Sequence, residues 1–295
     1  MDLDVPRDQG RRRLIGFRVV VALFLVLGLA GFNLLVLFPV ISWLPETTFV
    51  TIGIPEEDIH HLVHGFAIGL WYGALMLCLA VQLRRPERSV APLWVISFIL
   101  VSQIVYDLAM WDIGDPIWFL AYALFVLVVM LHPRRTAPIT ALDRPALLLA
   151  VVAAVPLAVS GWNQLRLQLD PADPFGHAEL NHFFAMAGLS GLVIVAALLG
   201  STDVPGRRLV AWMAGAAPLL FAVASLAHPD QASAWTFAWA VAALVWGVGY
   251  VILVERGRRR VPTEPTIPAD AGANRANGVI PTAGGGPSLD SNTRG

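Results

Sequence analysis

Histidines and carboxylates are the residues of this sequence with chemistry beyond packing, and they fall in a pattern. Glu57, His60, His61 and His64 recur at three- and four-residue spacing, so on a helix they stand one above another on a single surface. A histidine pair at i and i+4, such as His60 with His64, can converge on one ion. Glu179 and His182 form an E-x-x-H unit, the spacing by which carboxylate-bridged metal bundles aim two ligands inward. Three chemistries suit these types. A divalent metal can be bound by His60, His61, His64, Glu179 and His182, a haem can be held between the axial imidazoles of His64 and His182, or the histidines can relay protons. Asp107, in the segment SQIVYDLAMWD, shares a helical face with Gln103 and has Tyr106 beside it. There it can act as a catalytic acid or base, ligate a metal or stabilise a cation, and Glu57 is the other candidate acid or base.

The elements that must position these groups follow from composition. Of 295 residues, 57% are hydrophobic and only 14% are charged, against roughly a quarter charged in a soluble domain, which excludes an ordinary soluble enzyme. The mean hydropathy of +0.67 is spread over runs of about 20 residues, each able to cross about 30 Å of hydrocarbon. The reading is an all-α, polytopic membrane protein with eight transmembrane helices at approximately 16–42, 60–83, 91–111, 116–132, 145–162, 178–200, 208–228 and 232–254. The first run is too long for the apolar part of a secretion signal and no A-x-A site follows it, so it is expected to stay as the first helix. All twenty basic residues are arginines, and with a net charge of -1 there is no basic excess for nucleic acid. The expected partner is the lipid bilayer.

The arginines also set orientation, because short loops rich in Arg stay cytoplasmic. Arg7 to Arg18, Arg84 to Arg88, Arg134 to Arg144, Arg207 with Arg208, and Arg256 to Arg260 fall on one side of the eight spans, and Arg166 alone falls on the other. Both termini are therefore expected in the cytoplasm, in a multi-pass protein of the cell membrane. The histidine and carboxylate cluster then faces outward. The last stretch, from 255 to 295, is rich in Pro, Gly, Ala and small polar residues and reads as a disordered cytoplasmic tail.

Sliding the chain on itself by 118 residues, which lays His64 on His182, also pairs Phe66 with Phe184, Gly73 with Gly191, Trp94 with Trp212, Asp112 with Asp230 and Phe119 with Phe237. A shift by four spans keeps orientation, so the halves are expected to be parallel repeats, a first over 16–132 and a second over 133–254, after a cytoplasmic segment 1–15. Sites tend to lie between such halves. Eight helices in two parallel halves, with histidines at outer helix ends, resemble the architecture of haem A synthases. That family extends its paired histidines to the fourth and eighth spans, where this chain has none near the outer end.

Other motifs are weaker. GLSG at 188–191 with His177 and Asn181 imitates the patterns of rhomboid proteases, but both fall on one span, and the small residues read better as close helix packing. Ten tryptophans suggest a cavity for a small hydrophobic ligand, an isoprenoid or lipid worked on by Glu57 or Asp107, yet most occupy interfacial belt positions. Cys78 is single and sits in an apolar run. Without a Walker loop or dinucleotide fingerprint, the readings that remain are a metal or haem protein, a small-solute or proton-coupled transporter, a lipid-modifying enzyme and a scaffold. The orientation is directly testable. An alkaline-phosphatase domain fused after Asp112 is expected to be active, and an inactive fusion there would invert the topology.

Overall fold

The structure is a computed structural model that describes residues 7–41, 62–110, 116–134, 136–169, 181–231 and 233–258. Glu57, His60, His61, His177 and Glu179 lie outside the described residues, as does most of the tail. The chain divides into two units, Met1–Arg258 and Arg259–Gly295. Among the described residues the first unit contains eight α-helices: α1 (Arg7–Ile41), α2 (Leu62–Arg84), α3 (Val90–Met110), α4 (Pro116–Leu131), α5 (Arg144–Gln168), α6 (His182–Gly200), α7 (Arg207–Ala227) and α8 (Phe237–Arg258). No strand occurs among the described residues, only an isolated antiparallel bridge between Leu142 and Thr202.

Seven of these helices are long and apolar enough to cross a membrane. The eighth candidate, α4, falls short of the expected span. Its 16 residues rise about 24 Å at 1.5 Å each, less than the roughly 30 Å of a hydrocarbon core. Pro116 opens it, and Pro133 follows immediately after His132, where a proline cannot continue the helix. The fifth span departs in the other direction. The apolar run ends near Trp162, but α5 continues through Asn163, Gln164 and Arg166 to Gln168, because hydrogen bonding along a helix does not stop where hydropathy does. Asp143 starts this helix by accepting the Ala146 N–H at 3.3 Å, with a proline in its first turn.

The two most buried helices, α2 and α6, pack on each other at the centre. Trp71 of α2 is 1% exposed, and a Cβ on Gly188 of α6 would stand only 2.8 Å from its ring, while one on Gly191 would meet the Phe98 ring of α3 at 2.6 Å. The glycines of the GLSG segment therefore admit large rings from neighbouring helices. By contrast α5 and α8 present long apolar surfaces outward, including Leu148, Val155, Val159 and Val245. Exposed faces of this size suit lipid rather than water.

One end of the bundle is stapled by its loops and rich in arginine. The Asp143 N–H bonds the Ser201 carbonyl at 2.8 Å, the Ala91 N–H bonds the Pro205 carbonyl at 2.9 Å, and the Arg13 guanidinium reaches the Met130 carbonyl at 2.9 Å. Gly206 turns the chain at φ 90°, against Pro92. His132 is fully buried there. Its Nδ1 accepts the Arg134 N–H at 3.0 Å, so Nε2 carries the proton and donates to Gln82 Oε1 at 3.0 Å, and the Gln82 amide in turn donates to the Ser89 carbonyl. Arg208 pairs with Glu255 at 2.6 Å, and the Trp212 indole donates to the same carboxylate at 2.9 Å.

Asp203 in this end layer accepts the Thr140 N–H at 3.0 Å and the Thr140 hydroxyl as well. The hydroxyl bond, helped by backbone N–H groups, holds the Asp203 carboxyl below the usual carboxylate range. A depressed folded-state pKa gives stability that is present above the unfolded value, about 3.9, and is lost as pH falls through the lower folded value. Thermal melts of the wild type and Asp203→Asn should therefore differ near neutral pH and converge below about pH 4. A gap that stays constant with pH would show that the ionised bond contributes nothing.

Candidate functional site

At the other end of the bundle, α2 and α6 begin, and their first turns carry backbone N–H groups without helical partners. Two glutamines supply them. Gln231 Oε1 accepts the Val63 N–H at 2.9 Å, and Gln168 Oε1, from the last turn of α5, accepts the Phe184 N–H at 2.9 Å. This explains why α5 runs past its apolar stretch, since its polar end caps a neighbour. Asn181 leads into α6 at φ 59°, in the left-handed region, and its side-chain carbonyl accepts the Tyr106 hydroxyl of α3. Tyr106 also stacks on Phe184, with centroids 4.0 Å apart.

Between these capped turns the structure brings His64 and His182 together. The ring centroids are 5.4 Å apart and the planes nearly parallel at 21°. His64 is fully buried, the Nδ1 atoms of both rings are buried, and the edge of Phe183 meets His64 at 5.5 Å. Ser233, held at φ 64° in the loop before α8, donates its hydroxyl proton to Gln164 Oε1 at 3.2 Å. Its lone pairs then face His64 Nε2 at 3.0 Å, so that nitrogen is the donor. The hydrogen-bonded chain His64, Ser233, Gln164 joins α2, the α7–α8 loop and α5, and His182 of α6 stacks on its first ring.

Asp107 forms a second polar cluster on α3. It is 7% exposed; Oδ1 accepts the Gln103 amide at 2.8 Å and Oδ2 accepts the Tyr122 hydroxyl of α4. Each carboxylate oxygen thus accepts one hydrogen bond from a neutral donor. Cys78 is packing, its thiol 3.8 Å from Met213 Sδ. Ser190 of the GLSG segment donates to the Met186 carbonyl of its own helix at 3.2 Å and is no nucleophile.

The expected cofactors meet this geometry unevenly. Two axial imidazoles on one iron lie on opposite sides of it, with centroids about 6 Å apart when metal–nitrogen bonds are about 2 Å. At 5.4 Å the two rings stand somewhat closer than that distance. Among the described residues no group of three or more His, Cys, Asp or Glu side chains is placed to hold a metal. The remaining metal candidates, His60, His61 and Glu179, lie outside the described residues, as does the candidate acid Glu57. Sequence reasoning missed Gln164, Gln168, Gln231 and Ser233 altogether. Their one signal was polarity inside or beside apolar segments, which does not by itself name a partner.

The Tyr106 hydroxyl is the hinge between α3 and the seam. Tyr106→Phe keeps the stack on Phe184 and removes the bond to Asn181, so it should cost about 1 kcal/mol of stability by thermal or denaturant unfolding in detergent. No change would show that the bond is not holding the helices. No family model matches this chain, and no curated protein or solved structure matches it either.

Proposed function

We propose that this chain is an eight-span protein of the cell membrane, built from two parallel four-helix halves with both termini cytoplasmic, and that it is a proton-coupled carrier of a small solute. The His64–His182 pair is its proton site. The observation that carries this reading is the contact itself: one imidazole from each half, at equivalent positions in the 118-residue shift, meeting at 5.4 Å in a buried seam.

The pairing of helices supports two halves. Exchanging α1–α4 for α5–α8 in order turns the α1–α2 contact into α5–α6, α2–α3 into α6–α7, α3–α4 into α7–α8, α1–α4 into α5–α8, and α2–α7 into α3–α6, while α2–α6 and α3–α7 map onto themselves. Each of these contacts exists. Parallel repeats place their sites at the interface between them, which is where the two histidines lie. A span shorter than the bilayer, such as α4, is accommodated by local thinning at modest cost.

Charge arithmetic favours a one-proton device. Two imidazolium rings 5.4 Å apart repel by about 3 kcal/mol at an effective dielectric near 20, so the pair takes up one proton far more readily than two. Ser233, itself held by Gln164, bonds His64 Nε2 and fixes the ring that takes up the proton. Because the rings belong to different halves, protonation changes the contact between the halves, and a carrier needs that link between charge and movement.

Proteoliposomes with a trapped pH indicator test this reading. The wild type should take up protons when a pH gradient is imposed, and the double variant His64→Gln, His182→Gln should lose at least about tenfold of that rate while remaining monodisperse. Uptake at the wild-type rate by the double variant would overturn the proton site. Stoichiometric zinc, iron or copper in the purified wild type, lost in the double variant, would replace it with a metal site.

A further inference from the structure

We propose that Asp107 anchors a second site, between α3 and α4, that binds a lipophilic organic cation arriving from the bilayer. The inference deepens the carrier reading by naming the class of its solute, but binding at Asp107 does not require the histidine pair to carry protons.

Asp107 lies one turn from the histidine end of α3, close to where a helix meets the headgroups. Side chains lean toward the N-terminus of their helix, which for α3 is the arginine end, and Asp107 bonds Gln103, one turn deeper, and Tyr122.

The hydrogen bonds to the carboxylate come from an amide and a phenol, both neutral, and no cation bonds it among the described residues. Tyr72 of α2 lies within electrostatic range of the same charge. A buried carboxylate without a cation is expensive in a membrane protein, and such residues mark pathways and ligand sites. A carboxylate beside tyrosine rings supplies the two attractions that an organic cation uses, its charge and the ring quadrupoles.

The second half shows that the fold does not need the acid. Ser225 is the equivalent of Asp107; it is fully buried, and its Oγ has no hydrogen-bond partner among the described residues. The same shift sets Phe221 against Gln103, Ser190 against Tyr72 and Ala240 against Tyr122. Helices α6 and α7 pack with apolar or small residues at these places, around a cavity lined by Met186, Ser190 and Phe221. The polar set therefore belongs to the first half alone and is not required for packing.

Helix α4 packs mainly on α1 and only lightly on α3. Val105 and Leu108 of α3 and Phe119 and Leu120 of α4 are exposed, and Tyr122, which bonds the carboxylate, is half-buried. A ligand entering here crosses hydrocarbon, so it must pair its charge with apolar substituents.

The test is equilibrium binding of radiolabelled tetraphenylphosphonium to the full-length protein in neutral phosphatidylcholine nanodiscs. The wild type should bind saturably with one site per chain. Asp107→Asn should weaken binding at least about tenfold and Tyr122→Phe, which keeps the ring, about threefold, while Ser225→Ala leaves it unchanged. The double variant His64→Gln, His182→Gln should bind the cation normally even if proton uptake is lost, which separates failure of the proton site from failure of this one. Equal binding by the wild type and Asp107→Asn, absence of saturable binding in the wild type, or equal competition by uncharged tetraphenylmethane would each overturn the proposal. Thermal melts of Asp107→Asn verify its fold, and if it fails to fold, the threefold loss in Tyr122→Phe decides.

Discussion

Polar groups buried among apolar helices have no water to turn to, and at the seam between α2 and α6 they can be satisfied only by one another. That constraint organises the histidine end of the molecule. The opening N–H groups of α2 and α6 would be orphaned without Gln231 and Gln168, and His64 is held by Ser233 and Gln164. Each bond joins two different elements of the chain, so together they set how far each helix rises and how it is rotated. The 5.4 Å approach of the two imidazoles follows from this register, because a rotation of either helix would turn its histidine out of the seam.

The arginine end is built differently. Its ties run through Asp143 with Ser201, Thr140 with Asp203 and the first turn of α3 at Ala91 with Pro205, and its buried histidine is engaged by Arg134 and Gln82. Here backbone groups carry the connections, whereas the histidine end relies on side chains.

Likeness between the proposed halves extends to which helices touch, but not to what fills the spaces between them. Around Asp107 the first half has Gln103, Tyr122 and nearby Tyr72; at the corresponding places the second half has Phe221, Ala240 and Ser190. A duplicated scaffold can carry such a difference because helix packing depends on close approach and shape, which glycines such as Gly188 and Gly191 provide, more than on any one polar residue. The shared seam and the one-sided acid are thus separate features of the same framework.

The apolar runs by themselves determined that the described fold is helical, and they located its helices to within a few residues at most ends. The 118-residue shift marked His64 and His182 as matched positions. The run at 116–132 located α4 to within a residue, but the polar end of α5 was not legible, because hydropathy windows measure burial in lipid and not hydrogen bonding. Only the tertiary structure decided that the two histidines face each other, that Gln164, Gln168, Gln231 and Ser233 are their support, and that Asp107 turns inward to Tyr122. Those pairings depend on the rotation and height of helices packed side by side, which arise from many weak contacts distributed over the whole bundle. No local stretch of sequence contains them.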